Sequence, residues 1–175
     1  MVHSVELVFD EATDAAVRRC WDDLMRAGVR SQAGHTSPSN RPHVTLTVAE
    51  EMADTVDDAL VPVLDRLPLP CTIGAPMLFG GRVFTLVRLV VPSADLLALH
   101  TQVHEACLPH MPKGALPHAD PGHWTPHVTL ARRLPPEQLA TALSLRSVGR
   151  DLSGRIVGLR HWDGNNRVEH PISRA

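Results

Sequence analysis

The sequence predicts a mixed helix-and-strand fold built twice over, and three observations carry that expectation. Periodicity gives the order strand, helix, strand, helix, hairpin, then helix, strand, helix, hairpin. The pentapeptide Pro-His-Val-Thr-Leu stands at 42–46 and again at 126–130, an offset of 84. The strand–helix junctions at Asp10 and Pro92 are offset by 82, so a matching strand and helix travel with the motif, as duplication requires.

Each element has a local reason. Residues 2–9 read as a strand, and Asp10 caps a helix in which Val17, Trp21, Leu24 and Met25 recur at helical spacing until Gly28 ends it. Residues 29–42 are rich in Ser, Gly, Asn and Pro and read as a loop. Residues 43–48 alternate as a strand. A helix with Met52, Val56, Ala59 and Val63 on one face should kink or stop early at Pro62. Strands 71–79 and 82–91 flank Gly80-Gly81, a signal for a two-residue hairpin turn. Ser93 caps a helix carrying Leu96, Leu99, Val103 and Cys107, and a proline- and histidine-rich loop follows over 109–124. Residues 125–131 form a strand, and Pro135-Pro136-Glu137 opens a short helix with Leu139, Ala142 and Leu143. Residues 154–161 and 167–172 form a last hairpin around Asp163-Gly164-Asn165-Asn166.

Bulk properties narrow the function classes. The 175 residues suffice for one domain, 1–175, with a proper core. Lys+Arg (17) nearly balance Asp+Glu (19), which argues against a surface that coats a DNA duplex but leaves room for a nucleotide or one RNA end. No apolar run reaches membrane-spanning length, and Met-Val-His-Ser-Val-Glu does not begin a secretory leader. Cys20, Cys71 and Cys107 are scattered and odd in number, which fits reduced thiols in a cytoplasm.

The repeated motif carries the chemistry. Side chains alternate along a strand, so His43, Thr45 and Thr47 share one face while Val44, Leu46 and Val48 take the other. The second copy sets Thr125, His127 and Thr129 against Val128 and Leu130. A pseudo-two-fold axis would bring both polar faces to one cleft, with two imidazoles flanking one ligand. That arrangement suits phosphoryl displacement: one imidazole takes a proton from the attacking oxygen and the other protonates the leaving oxygen, without metal or other cofactor. The threonine hydroxyls can donate to the phosphate oxygens. Core packing would preserve the valine and leucine, but it has no need of the same His and Thr twice.

Arg-Pro-His-Val-Thr-Leu at 41–46 and Trp-Thr-Pro-His-Val-Thr-Leu-Ala-Arg at 124–132 make the chain resemble the two-histidine (2H) phosphoesterase superfamily, in its 2′-5′ RNA ligase-like group. The resemblance implies a bilobal α+β fold, with two antiparallel sheets backed by helices on their outer faces around a central groove. It implies hydrolysis of 2′,3′-cyclic phosphates of RNA ends or nucleotides to 2′-phosphates, with 2′-5′ RNA ligation known among relatives. By it, His127 is the base and His43 the acid, and an arginine stands at Arg132. Strict strand parity would instead turn Arg133 to the His127 face, unless a bulge intervenes.

Other residues have two readings. Arg88, paired with Glu6 by the offset of 82, faces the groove to meet a phosphate or serves a structural bridge. Trp124, Phe79 and Phe84 stack on a base or fill the core. His100 and His104 have the spacing of a zinc pair, with His110, His118 and His123 as further ligands of a zinc-dependent hydrolase. They lack the acidic partner of that motif, and a solvated helix flank is the plainer reading. The remaining alternative to an enzyme is a protein of the same fold that holds a nucleotide or RNA end without turnover.

Overall fold

The computed structural model describes residues 2–174. The strands are β1 (His3–Phe9), β2 (His43–Ala49), β3 (Leu69–Gly80), β4 (Phe84–Val90), β5 (His127–Leu134), β6 (Leu152–Asp163) and β7 (Val168–Pro171). The helices are α1 (Glu11–Arg26), α2 (Val56–Leu60), α3 (Ala94–Cys107), α4 (Leu139–Ser144) and α5 (Arg146–Gly149). Every strand pairing is antiparallel, and the fold is the α+β class expected. The two sheets are continuous. Pairing runs β2–β5–β4–β3–β6 and returns from β6 to β1, which pairs with β2, while β7 flanks β6.

Local chemistry places these elements. The Asp10 carboxylate accepts the Thr13 amide at 2.9 Å and starts α1, whose Val17, Trp21 and Leu24 are buried. Met25, expected on that apolar face, lies half exposed. The Ser93 hydroxyl accepts the Leu96 amide at 3.2 Å and starts α3 over buried Leu96, Leu99, Val103 and Cys107. The helix expected from residue 52 is shorter. Only Val56–Leu60 is α-helical, and a 3₁₀ segment, Val61–Arg66, takes over where Pro62 has no amide hydrogen to continue the ladder. The β3–β4 turn is also not the two-residue form. Gly80 pairs with Phe84, so three residues connect them. Gly80 has φ +101, and a Cβ there would stand 2.5 Å from the Val83 carbonyl oxygen, so only glycine fits.

The two motif strands carry matching register shifts. Val44 faces Val128 in the one residue pair that joins β2 to β5. In β1–β2, Glu6 pairs with Thr45 and Val5 with Thr47, so Leu46 is an extra, bulged residue. In β4–β5, Val87 pairs with Thr129 and Leu86 with Ala131, so Leu130 is bulged at the equivalent position. After each bulge two successive residues point inward: Leu46 and Thr47 in one copy, Leu130 and Ala131 in the other, all at most 1% exposed. This corrects the placement of Thr47 beside His43 and Thr45. The bulge reverses the alternation, and the Thr47 hydroxyl turns to the Met111 sulfur in the core.

The registers also correct the pairing of Arg88 with Glu6. Leu7 faces Val44, and Arg88 faces Val128, so the counterpart of Arg88 is Leu7, whose side chain is buried away from the groove. Arg88 is 2% exposed and donates to the carbonyls of Gly74 (2.7 Å), Ile73 (2.9 Å), Ser147 (3.1 Å) and Arg150 (2.6 Å). It therefore ties β4 to β3 and to both ends of α5, and it is not available to a phosphate. Arg88→Met would remove this donor from the Gly74, Ile73 and Arg150 carbonyls, while that of Ser147 keeps the Cys20 thiol at 3.0 Å. It is expected to cost at least about 3 kcal/mol, since each unpaired buried polar group costs roughly 1–3 kcal/mol. Urea unfolding of the variant checks this.

Candidate active site

The polar faces of β2 and β5 meet at the Val44–Val128 pair. Both valines are fully buried on the helix side, so His43 and Thr45, with His127 and Thr129, project from the opposite face. Antiparallel pairing sets Thr45 beside His127 and His43 beside Thr129. The two imidazoles are then diagonal neighbours, which in a regular ladder stand roughly 7–8 Å apart. Neither is packed into the core: both are partly exposed.

Each ring is locked the same way. Nδ1 of His43 lies 2.7 Å from the Arg41 carbonyl oxygen, and Nδ1 of His127 lies 2.7 Å from that of Thr125. A carbonyl can only accept, so each Nδ1 bears the hydrogen and each neutral ring keeps its lone pair on Nε2. A tryptophan braces each strand through the carbonyl of its motif threonine. The Trp21 indole of α1 donates to the Thr129 carbonyl at 3.0 Å, and the Trp124 indole donates to the Thr45 carbonyl at 2.9 Å. His100 of α3 contacts the Leu46 carbonyl at 3.1 Å through Nε2 and stacks flat on Trp124, with ring centroids 4.0 Å apart. The helix of each half thus supports the motif strand of the other.

The surroundings of the two rings differ. His43 Nε2 lies 3.7 Å from Oε1 of Glu6. Burial pushes the Glu6 carboxyl up, but His43, Arg160 and the Ser4 hydroxyl outweigh it and leave its pKa below the usual carboxylate value. His127 instead meets the Phe79 ring edge-on, with centroids 4.9 Å apart. Burial holds its pKa below the ordinary imidazole value, and the charges of His43 and Arg132 push it the same way.

A cavity of about 500 Å³ opens beside His127 and Thr45. Phe79, Trp124, His118 and His123 contribute to its wall. Of the expected site residues, the structure brings together His43, His127, Thr45, Thr129 and Trp124. Arg132 is exposed, and its charge acts on His127; with Leu130 and Ala131 both buried, the alternation puts it back on the Thr129 side. Arg133, favoured by strict parity, instead adopts left-handed backbone (φ +54) and is exposed.

His100 and His104 do not form a solvated flank. His100 is 2% exposed and serves as the floor beneath Trp124, while His104 faces Asp120 at 3.9 Å. His110 bonds the Thr55 hydroxyl at 2.9 Å. Among the described residues no group of three His, Cys, Asp or Glu side chains converges as metal ligands, and no helix is long and apolar enough to cross a membrane. Sequence reading passes over Arg160 and the role of His100. An arginine between Leu159 and His161 in the 154–161 strand, the second in that segment after Arg155, is the available signal for the first.

The model of the 2′-5′ RNA ligase superfamily matches residues 9–163 and so spans both motifs; the chain belongs to this superfamily. No curated protein sequence matches it. Among solved structures it is similar to the TT0787 protein of Thermus thermophilus, with a TM-score of 0.61, 16% identity, and 99% and 96% of the two chains covered. It is also similar to E. coli LigT complexed with 3′-AMP, with a TM-score of 0.55, 17% identity, and 99% and 95% covered. Kluyveromyces marxianus Usb1 with uridine monophosphate gives a TM-score of 0.52 and 11% identity, with 97% of each chain covered. At these identities the likeness is one of fold.

Burial holds the pKa of His100 below its ordinary value. The unfolded chain takes up a proton at this residue near pH 6.5, and the native state does so only at lower pH. The stability due to the neutral ring is therefore complete above about pH 6.5 and declines as pH falls toward the native value. Urea midpoints at pH 7.5 and pH 5.5 should show this decline, and His100→Gln should reduce it.

Proposed function

We propose that the protein is a metal-independent phosphoesterase that opens 2′,3′-cyclic phosphates of RNA ends or nucleotides to 2′-phosphates. The observation that carries this is the diagonal pair of imidazoles, each with Nδ1 held by a backbone carbonyl and Nε2 without a hydrogen-bond partner among the described residues. A phosphate between them meets a proton acceptor on one side and a proton donor on the other.

In this reading a water oxygen attacks phosphorus while His127 Nε2 takes its proton. The bond from phosphorus to the 3′-oxygen breaks, and His43 Nε2–H protonates that oxygen. Thr45 and Thr129 hydroxyls, with Arg132, hold the non-bridging oxygens where charge accumulates. The cavity beside His127 takes the nucleoside, with Phe79 and Trp124 as apolar walls. The 3′-AMP of E. coli LigT and the uridine monophosphate of Usb1 support a nucleotide as the ligand class. Joining RNA ends through a 2′-5′ linkage would use the same groups, with a 5′-hydroxyl in place of water as the attacking oxygen on the cyclic phosphate and the 3′-oxygen again leaving.

The test is hydrolysis of 2′,3′-cyclic AMP and a cyclic-phosphate RNA end in EDTA, followed by product mapping. Turnover to the 2′-phosphate is expected, and His43→Ala and His127→Ala should each lose on the order of 10²–10⁴-fold in kcat while staying folded. Tight binding of 2′-AMP with no turnover over the panel would replace the enzyme with a binding protein. The pH profile has a second signature. His127 must be neutral to act, and burial lowers its pKa. The acidic limb of kcat/KM should therefore fall below the ordinary imidazole value of about 6.5.

A further inference from the structure

We infer that Glu6 is the positioning residue that makes the two duplicated histidines unequal, by holding His43 in its charged, proton-donating form. This rests on the two-histidine reading above and adds a residue that the motif does not contain.

The placement is specific. Glu6 is 5% exposed, and both of its oxygens are committed. Oε2 accepts from Arg160 Nε at 2.8 Å and lies 2.7 Å from Arg160 Nη2. Oε1 accepts the Ser4 hydroxyl at 2.7 Å and presents its remaining side to His43 Nε2 at 3.7 Å. Arg160 is held in turn by Glu169 at 2.7 Å and by the Ser39 carbonyl at 3.0 Å, so the carboxylate cannot swing away without breaking a buried network. Arg41 lies 3.6 Å from Glu169 at the outer end of this chain.

The other half has no equivalent. Thr45 pairs with Glu6, and its duplicate Thr129 pairs with Val87. Among the described residues no carboxylate is paired with His127, whose neighbours are Phe79 and the positive charges of His43 and Arg132. A carboxylate this close to one imidazole favours its protonated form, and an apolar, cation-flanked site favours the neutral form of the other. The charged groups facing Glu6 and His43 are Arg160 from β6, Glu169 from β7 behind it, Arg41 before β2 and His127 from β5. Glu6 exchanges no proton in the reaction. It restores the starting state, because each turnover leaves His127 charged and His43 neutral, and the proton must return to the ring beside the carboxylate.

The experiment compares the parent with Glu6→Gln, which keeps the size of the side chain and leaves Arg160 its Glu169 partner. The charged fraction of each imidazole is read at one pH near neutrality from its ¹³Cε1–¹H signal in the free protein, assigned with His43→Asn and His127→Asn. The charged fraction of His43 should fall while that of His127 does not. In turnover of 2′,3′-cyclic AMP, kcat should fall on the order of tenfold at pH 8 and less at pH 6. Glu6→Asp, which keeps the charge but withdraws it by one methylene, should lie between the two and decides the matter if the Gln variant does not fold. An unchanged charged fraction at His43 in the folded variants overturns the proposal. Absence of turnover in the parent overturns the phosphoesterase reading alone, because the imidazole signals are still measured.

Discussion

One backbone contact organises the site: the pairing of Val44 with Val128. It is the one residue pair joining β2 to β5, and it lies where a pseudo-two-fold relation between the halves requires it, since 44 and 128 differ by the motif offset. Two fully buried valines on one face fix the opposite face of both strands. Any slip by one residue would send the histidines into the core and the valines into the groove.

The bulges at Leu46 and Leu130 make the arrangement workable. Each confines the polar alternation to a His-x-Thr triplet and then turns two successive residues inward to anchor the strand. In the second copy the same irregularity carries Arg132 back to the groove. The indoles of Trp21 and Trp124 then fix the threonine carbonyls at 3.0 and 2.9 Å. Stiffness of this kind matters wherever groups must be held for reaction, because a misplacement of about 1 Å can cost roughly a hundredfold in rate.

Symmetry supplies two similar rings, and asymmetry gives them different environments. Glu6 with Arg160 surrounds one imidazole with buried charge, while Phe79 and burial surround the other with apolar surface. A difference of this kind separates the acid from the base when both are the same type of group. The duplicated fold can supply it through one changed position on β1.

Much of this is legible in the sequence. The order of elements, the caps at Asp10 and Ser93, the duplication and the paired His-x-Thr strands all follow from local periodicity and turn chemistry, which depend on neighbours a few residues away. Where expectation fails, the deciding contact is distant in the chain. Counting residues assigns Arg88 a groove position, but four carbonyls from β3 and the α5 region claim it. Strict alternation assigns Thr47 and Arg133 to the groove face, and bulges in the β1–β2 and β4–β5 pairings interrupt it. Helical spacing gives His100 to solvent, but the flat face of Trp124 covers it. The sequence by itself determined which residues carry the polar groups and that they come twice. Only the tertiary structure decided which way they face and what stands beside them, because bulges, buried ion pairs and ring stacking arise between segments well apart in the chain, from His100 and Trp124 to Glu6 and Arg160.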